Sequence, residues 1–148
     1  MIRSILLGLV AGARSMSPLA AVANAARNGR LPADSKAPDF LSHPLVSAGT
    51  MALAVYEVTG DKQKSAPDRI ITPAVVVRSL NAAFAGAAVA PRNRRLTGAA
   101  VAAGTAVIAS WLTWKVRMRA IETYGQTATG FVEDSIVVPL AIAAATRR

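Results

Sequence analysis

Cysteine is absent from the 148 residues, which rules out a disulfide framework, an iron–sulfur cluster and any thiolate-ligated zinc. Histidine occurs once, at His43, so the common Cys–His and Ser–His nucleophile–base pairs have almost nothing to draw on. No G-x-S-x-G, H-E-x-x-H or glycine-rich phosphate loop is present, and neither an enzymatic activity nor a cofactor is expected. Aromatic residues make up 5% of the chain, and acids number eight against seventeen Lys and Arg. The resulting net charge of +9 does not point to nucleic acid, because the basic residues fall in short groups between apolar runs without interleaved aromatics. Groups of that kind anchor a chain to anionic lipid.

What the sequence has in abundance is aliphatic residue, mostly Ala and Val. It is 53% hydrophobic with a mean hydropathy of +0.38, and the apolar runs recur at the length that crosses a bilayer. The expectation is an all-α, polytopic transmembrane bundle of four to five helices forming a single integral membrane domain over 1–148. The expected location is the cell inner membrane.

Taken in order, the first apolar segment runs from about Ser4 to Ala26. Gly8 and Gly12 share one helix face, and Pro18 removes a backbone donor just after Arg14, so this helix is expected to be kinked or broken. Ala23-Asn24-Ala25 could serve as a signal-peptide cleavage site, but Arg14 lies inside the apolar run and argues against one. A polar connection, Arg27 to Asp39, leads to a second segment at about Phe40 to Tyr56, where His43 reads as an interfacial or capping residue. The most polar stretch follows, Glu57 to Arg69. Its acids Glu57, Asp61 and Asp68 alternate with cations that include Lys62, the pattern of a solvated, salt-bridged turn rather than of a hard-cation loop.

The third segment starts near Pro73 and continues to Ala90, with Arg78 either snorkelling or buried and paired, and with Ala82, Gly86 and Ala90 on a close-packed face. The fourth carries no charge from Leu96 to Trp114. Trp111 and Trp114, followed by Lys115, Arg117 and Arg119, read as an aromatic belt with a basic anchor, while Ala100 and Gly104 suggest another close helix contact. The fifth segment contains Glu133 and Asp134 in an otherwise apolar run.

A charge placed in hydrocarbon costs at least ~2.5–3.5 kcal/mol, so intramembrane charges should pair. Arg14, Arg78, Glu133 and Asp134 are therefore expected to meet in one polar site, with one of the two adjacent acids facing it directly because neighbours on a helix point about 100° apart. Five crossings would put basic groups of one, three and three on one side (Arg3; Lys62, Lys64, Arg69; Lys115, Arg117, Arg119). The other side would hold three, three and two (Arg27, Arg30, Lys36; Arg92, Arg94, Arg95; Arg147, Arg148). That near-balance means either that the count of five crossings is wrong, as a re-entrant first segment would make it, or that orientation is weakly specified, which would permit antiparallel dimers.

Three stretches together resemble a bacterial family of small integral membrane proteins, domain of unknown function 4126. Gly12-Ala13-Arg14-Ser15-Met16-Ser17-Pro18 is similar to its G-x-R-x-x-x-P, Asp61-Lys62 with Pro67-Asp68 to its D-K-x-P-x-x-D turn, and Glu133-Asp134 to its late E-D pair. Arg78 with Gly86-Ala87 also resembles its Arg followed by a small-residue helix. The insertion Gln63-Lys64-Ser65-Ala66 and Ser79, where Pro often follows the Arg, depart from the pattern. The resemblance implies a polytopic membrane protein without an established activity.

Two functions fit the sequence. One is a transporter or channel-like protein for an ion or small solute, with Arg14, Arg78, Glu133 and Asp134 as its site and Asp61, Lys62 and Asp68 as turn contributors. The other is a scaffold, lipid-binding or assembly protein whose buried ion pairs fix helix packing. The expected partners are the lipid bilayer, a second copy of the chain and a small ion or solute.

Overall fold

Apolar runs interrupted by Pro, Gly and basic clusters become helices separated by short turns. The computed structural model describes residues 1–35, 37–60 and 70–146. They form six α-helices: α1 (Ile2–Ala13), α2 (Ser17–Arg27), α3 (Pro44–Gly60), α4 (Thr72–Val89), α5 (Arg95–Tyr124) and α6 (Gln126–Ala145). No strand occurs among the described residues. Three helical stretches, Thr72–Val89, Arg92–Tyr124 and Gln126–Ala145, are long and apolar enough to cross a membrane.

The first apolar segment forms two helices. α1 ends at Ala13, Arg14 is extended, and α2 restarts at Ser17 with Pro18 in its first turn. Proline is suited to that position, because its missing N–H is one that a helix start leaves unused. The two helices run in opposite directions. Leu7 of α1 shares a hydrophobic cluster with Val22, Ala23 and Ala25 of α2, and the same cluster takes in Ala88 and Ala144. Arg3 at the start of α1 donates to the carbonyls of Ala144 and Thr146 at the end of α6. Beyond α2, Arg92 N–H donates to the Asp34 carbonyl at 3.1 Å, beside the α4–α5 turn. The segment therefore enters and leaves at one end of the bundle as a helical hairpin. Its twelve-residue first arm reaches about 18 Å, a little over half of a ~30 Å hydrocarbon layer.

Glycine lets this hairpin sit inside the bundle. A Cβ on Gly8 would lie 2.5 Å from the Ala102 carbonyl oxygen, and one on Gly12 would lie 2.4 Å from the Ala109 Cβ. Gly86 and Gly98 bring α4 and α5 together in the same way, so the small-residue faces expected on α1 and α4 are packing faces. Ala100 and Gly104 are not. Both are exposed, and a Cβ at Gly104 would meet nothing within 4 Å, because the packed face of α5 runs through Gly98, Ala102, Ala106 and Ala109 instead. α5 and α6 are joined by Gly125 alone, whose φ of 81° suits glycine and turns the chain straight back.

Candidate functional site

The ends of α1 and α2 meet inside the bundle, and each end exposes backbone groups that its own helix cannot satisfy. At the end of α1, Arg78 of α4 donates from Nη1 to the carbonyls of Ala11 and Gly12 at 3.2 and 3.1 Å. Thr113 of α5 adds a hydrogen bond to the Gly12 carbonyl at 3.2 Å. At the start of α2, both carboxylate oxygens of Glu57, in the last turn of α3, accept backbone N–H groups: Oε1 from Ser15 at 2.7 Å and Oε2 from Met16 at 2.8 Å. A cation thus meets the negative end of one helix dipole and an anion the positive end of the other. Asn81 completes the clamp by donating to the Ser15 hydroxyl at 3.0 Å.

Arg14 lies in the break itself and is fully buried. Its Nε donates to Asp134 Oδ1 at 2.7 Å, and its Nη2 stands 3.6 Å from Glu133 Oε2. That Glu133 oxygen also accepts a hydrogen bond from Arg117. Arg78 Nη2 stands 3.9 Å from Glu57 Oε1. Three guanidinium groups and three carboxylates from five elements therefore surround one turn of non-helical chain.

This arrangement brings Arg14, Glu133 and Asp134 into direct contact and places Arg78 on the other side of the same break. Of the alternatives for Arg78, burial and pairing hold: it is 6% exposed. Both acids of the adjacent pair engage Arg14, where one was expected to face the site; Asp134 reaches Nε directly while the longer Glu133 side chain comes round to Nη2. Arg117 is not a headgroup anchor, because α5 continues to Tyr124 and turns this residue inward, 7% exposed. Glu57 does not belong to a solvated turn, because α3 runs to Gly60 and carries it to the break. Asp61, Lys62 and Asp68 lie outside the described residues. His43 accepts the Leu45 N–H at 3.2 Å, a capping contact at the start of α3.

Below the hairpin tip, a cavity of about 560 Å³ separates α5 from α6. Apolar side chains such as Leu112, Val116, Val132 and Ile136 line most of it, and Arg117 and Glu133 border it with almost no polar atom exposed to it. Ala13 and Thr113 place the cavity against the helix break. Its cause is geometric: the hairpin fills the bundle only to the level of Arg14, while α5 and α6 continue past it to Gly125.

Together these features define a helical protein suited to a membrane, built around a buried, charge-clamped helix break. Family models, curated proteins and solved structures were all searched, and the chain matches none of them.

Proposed function

We propose that the protein is a small transporter or channel-like protein for an ion or small solute, with the exchangeable polar site at Arg14, Glu133, Asp134 and Arg117, and with Arg78 and Glu57 holding the break open. One observation carries this reading: a discontinuous helix, its ends met by charges of opposite sign, lies against an apolar groove between α5 and α6 that Glu133 and Arg117 border. Irregular backbone at membrane depth is tolerated where protein buries it or where it lines a cavity, and secondary transporters build their sites in this way. The proposal includes a multi-pass location in the cell inner membrane, self-association, no enzymatic step and the family resemblance described above.

The test is flux into liposomes of purified protein across a panel of monovalent cations, protons, anions and small neutral solutes, with Glu133→Gln beside wild type. Flux in wild type that is lost in a folded Glu133→Gln protein supports the proposal. An absence of flux for every solute sinks it.

A specific observation favours a second reading. Each of the six charges is engaged by another protein group, as a network that fixes helix packing would require. On that reading Glu133→Gln misassembles, and neutralising Arg117 as well partly restores assembly.

A further inference from the structure

The fold sorts the arginines into two populations. Arg14, Arg78 and Arg117 are buried, and each is engaged by a carboxylate or a backbone carbonyl around the helix break. Arg27, Arg30, Arg92 and Arg94 are exposed, and among the described residues no side-chain hydrogen bond or ion pair holds any of them.

These four come from two connections that packing brings to one end of the bundle. Arg27 and Arg30 close α2, and Arg92 and Arg94 form the α4–α5 turn. The Arg92 N–H donates to the Asp34 carbonyl, Ser35 pairs with Pro91 in an isolated bridge, and Ala25 shares a hydrophobic cluster with Ala88 and Val89. Arg3 reaches the same end, because the neighbouring Ser4 hydroxyl donates to the Gly86 carbonyl at 3.2 Å, near the end of α4. The described acids in this region are Asp34 and Asp39, both exposed, so positive charge remains in excess. At the opposite end the described cations are Lys115 and Arg119, with the acid Glu122 in the following turn.

Apolar side chains stand beside the exposed arginines. Ile2, next to Arg3, is 75% exposed, and Leu96, just past the α4–α5 turn, is 89% exposed. A soluble polyanion would leave both in water. A bilayer covers them while the guanidinium groups meet phosphate at its surface. Arginine suits that partner because its planar fork pairs with two phosphate oxygens at once.

We infer that the end of the bundle formed by the close of α2 and the α4–α5 turn is a docking surface for the head groups of anionic phospholipid, with Arg27, Arg30, Arg92 and Arg94 as the phosphate-binding side chains. The inference rests on the membrane location and is independent of transport.

The experiment follows the thermal midpoint of the full-length protein in an uncharged maltoside detergent as phosphatidylglycerol or phosphatidylcholine is added to the micelles. A lipid that binds the folded state raises the midpoint. Phosphatidylglycerol is expected to raise it and phosphatidylcholine to leave it unchanged. Each arginine near an anionic surface is worth roughly a fivefold change in binding, so Arg92→Gln combined with Arg94→Gln should need roughly tenfold more phosphatidylglycerol, or beyond, for the same rise. Lys115→Gln combined with Arg119→Gln removes as much charge from the other end and should change the requirement by less than about twofold. Equal losses in the two variants would mean that only overall charge matters and would overturn the inference, as would equal rises with the two lipids. A rise reproduced by inorganic phosphate or by a single-stranded oligonucleotide would identify a soluble anion and overturn it too. If the first variant does not fold, Arg27→Gln combined with Arg30→Gln provides the same decision. A selective response to phosphatidylglycerol without flux in liposomes rejects transport and keeps the docking surface; flux without that response does the reverse.

Discussion

Arg78 and Glu57 stand 3.9 Å apart, yet each is committed to the opposite half of the same helix break, Arg78 to the carbonyls that end α1 and Glu57 to the amides that begin α2. The pair therefore does more than neutralise itself. It supplies the donors and acceptors that a continuous helix would have supplied internally, which is what lets the chain reverse direction inside the bundle.

Replacing Glu57 should reveal that role as a graded loss. Glu57→Ala leaves the Ser15 and Met16 amides without their acceptor and removes the anion beside Arg78, and is expected to cost about 3–5 kcal/mol. Glu57→Gln, with one acceptor oxygen left, should cost less. Thermal midpoints in a single detergent check the order Ala below Gln below wild type. Equal midpoints would show that the break is held by other means.

The glycines divide into two kinds that mutation can separate. Gly12→Ala places a methyl 2.4 Å from the Ala109 Cβ and 2.7 Å from backbone, so α1 must move away from α5, at a cost of about 1–3 kcal/mol. Gly104→Ala meets open space in the isolated chain and should fall within about 0.5 kcal/mol of wild type or improve on it. If Gly104→Ala instead disrupts a dimer seen by crosslinking, its helix face is the contact between copies.

Arg117 and Glu133 should behave as a coupled pair. A double-mutant cycle with Arg117→Met and Glu133→Gln is expected to give a coupling of ~0.5–3 kcal/mol, with the double variant more stable than the sum of the singles predicts. Additive losses would place Arg117 outside the network.

The hairpin also changes the charge balance between the two ends. Among the described residues outside the buried cluster, Arg3, Arg27, Arg30, Arg92, Arg94 and Arg95 lie towards the end where α1 enters, and Lys115 and Arg119 towards the other. The positive-inside rule then predicts that the α4–α5 turn faces the cytoplasm. Because the chain has no cysteine, single-cysteine labelling in intact cells is clean. An impermeant maleimide should label Thr127→Cys and not Asn93→Cys. The opposite pattern reverses the orientation, and labelling at both positions would indicate a mixed one.

Much of the site was legible in the sequence because charge in an apolar run is conspicuous, and Arg14, Glu133 and Asp134 meet as expected. Arg117 and Glu57 were hidden by their neighbours, Arg117 between exposed Lys115 and Arg119, and Glu57 at the edge of a polar stretch. Helical spacing carried the missing signal. Ala106, Ser110, Thr113 and Arg117 follow one face of α5, and Ser47, Thr50, Ala54 and Glu57 follow one face of α3, so each charge continues a packed stripe. The direction of α2 was not legible in the same way. Its reversal depends on Arg78 and Glu57 arriving from other helices, which no local pattern encodes.

The bond between Arg14 and Asp134 joins residues 120 positions apart. At synthesis rates of about 5–20 residues per second, Arg14 leaves the ribosome on the order of ten seconds before its partner does. Throughout that interval the Arg14 guanidinium lacks the carboxylates it meets in the folded protein, so the first hairpin completes its contacts only when the last helix has been made. The last helix to be made thus completes the surroundings of a residue near the start of the chain.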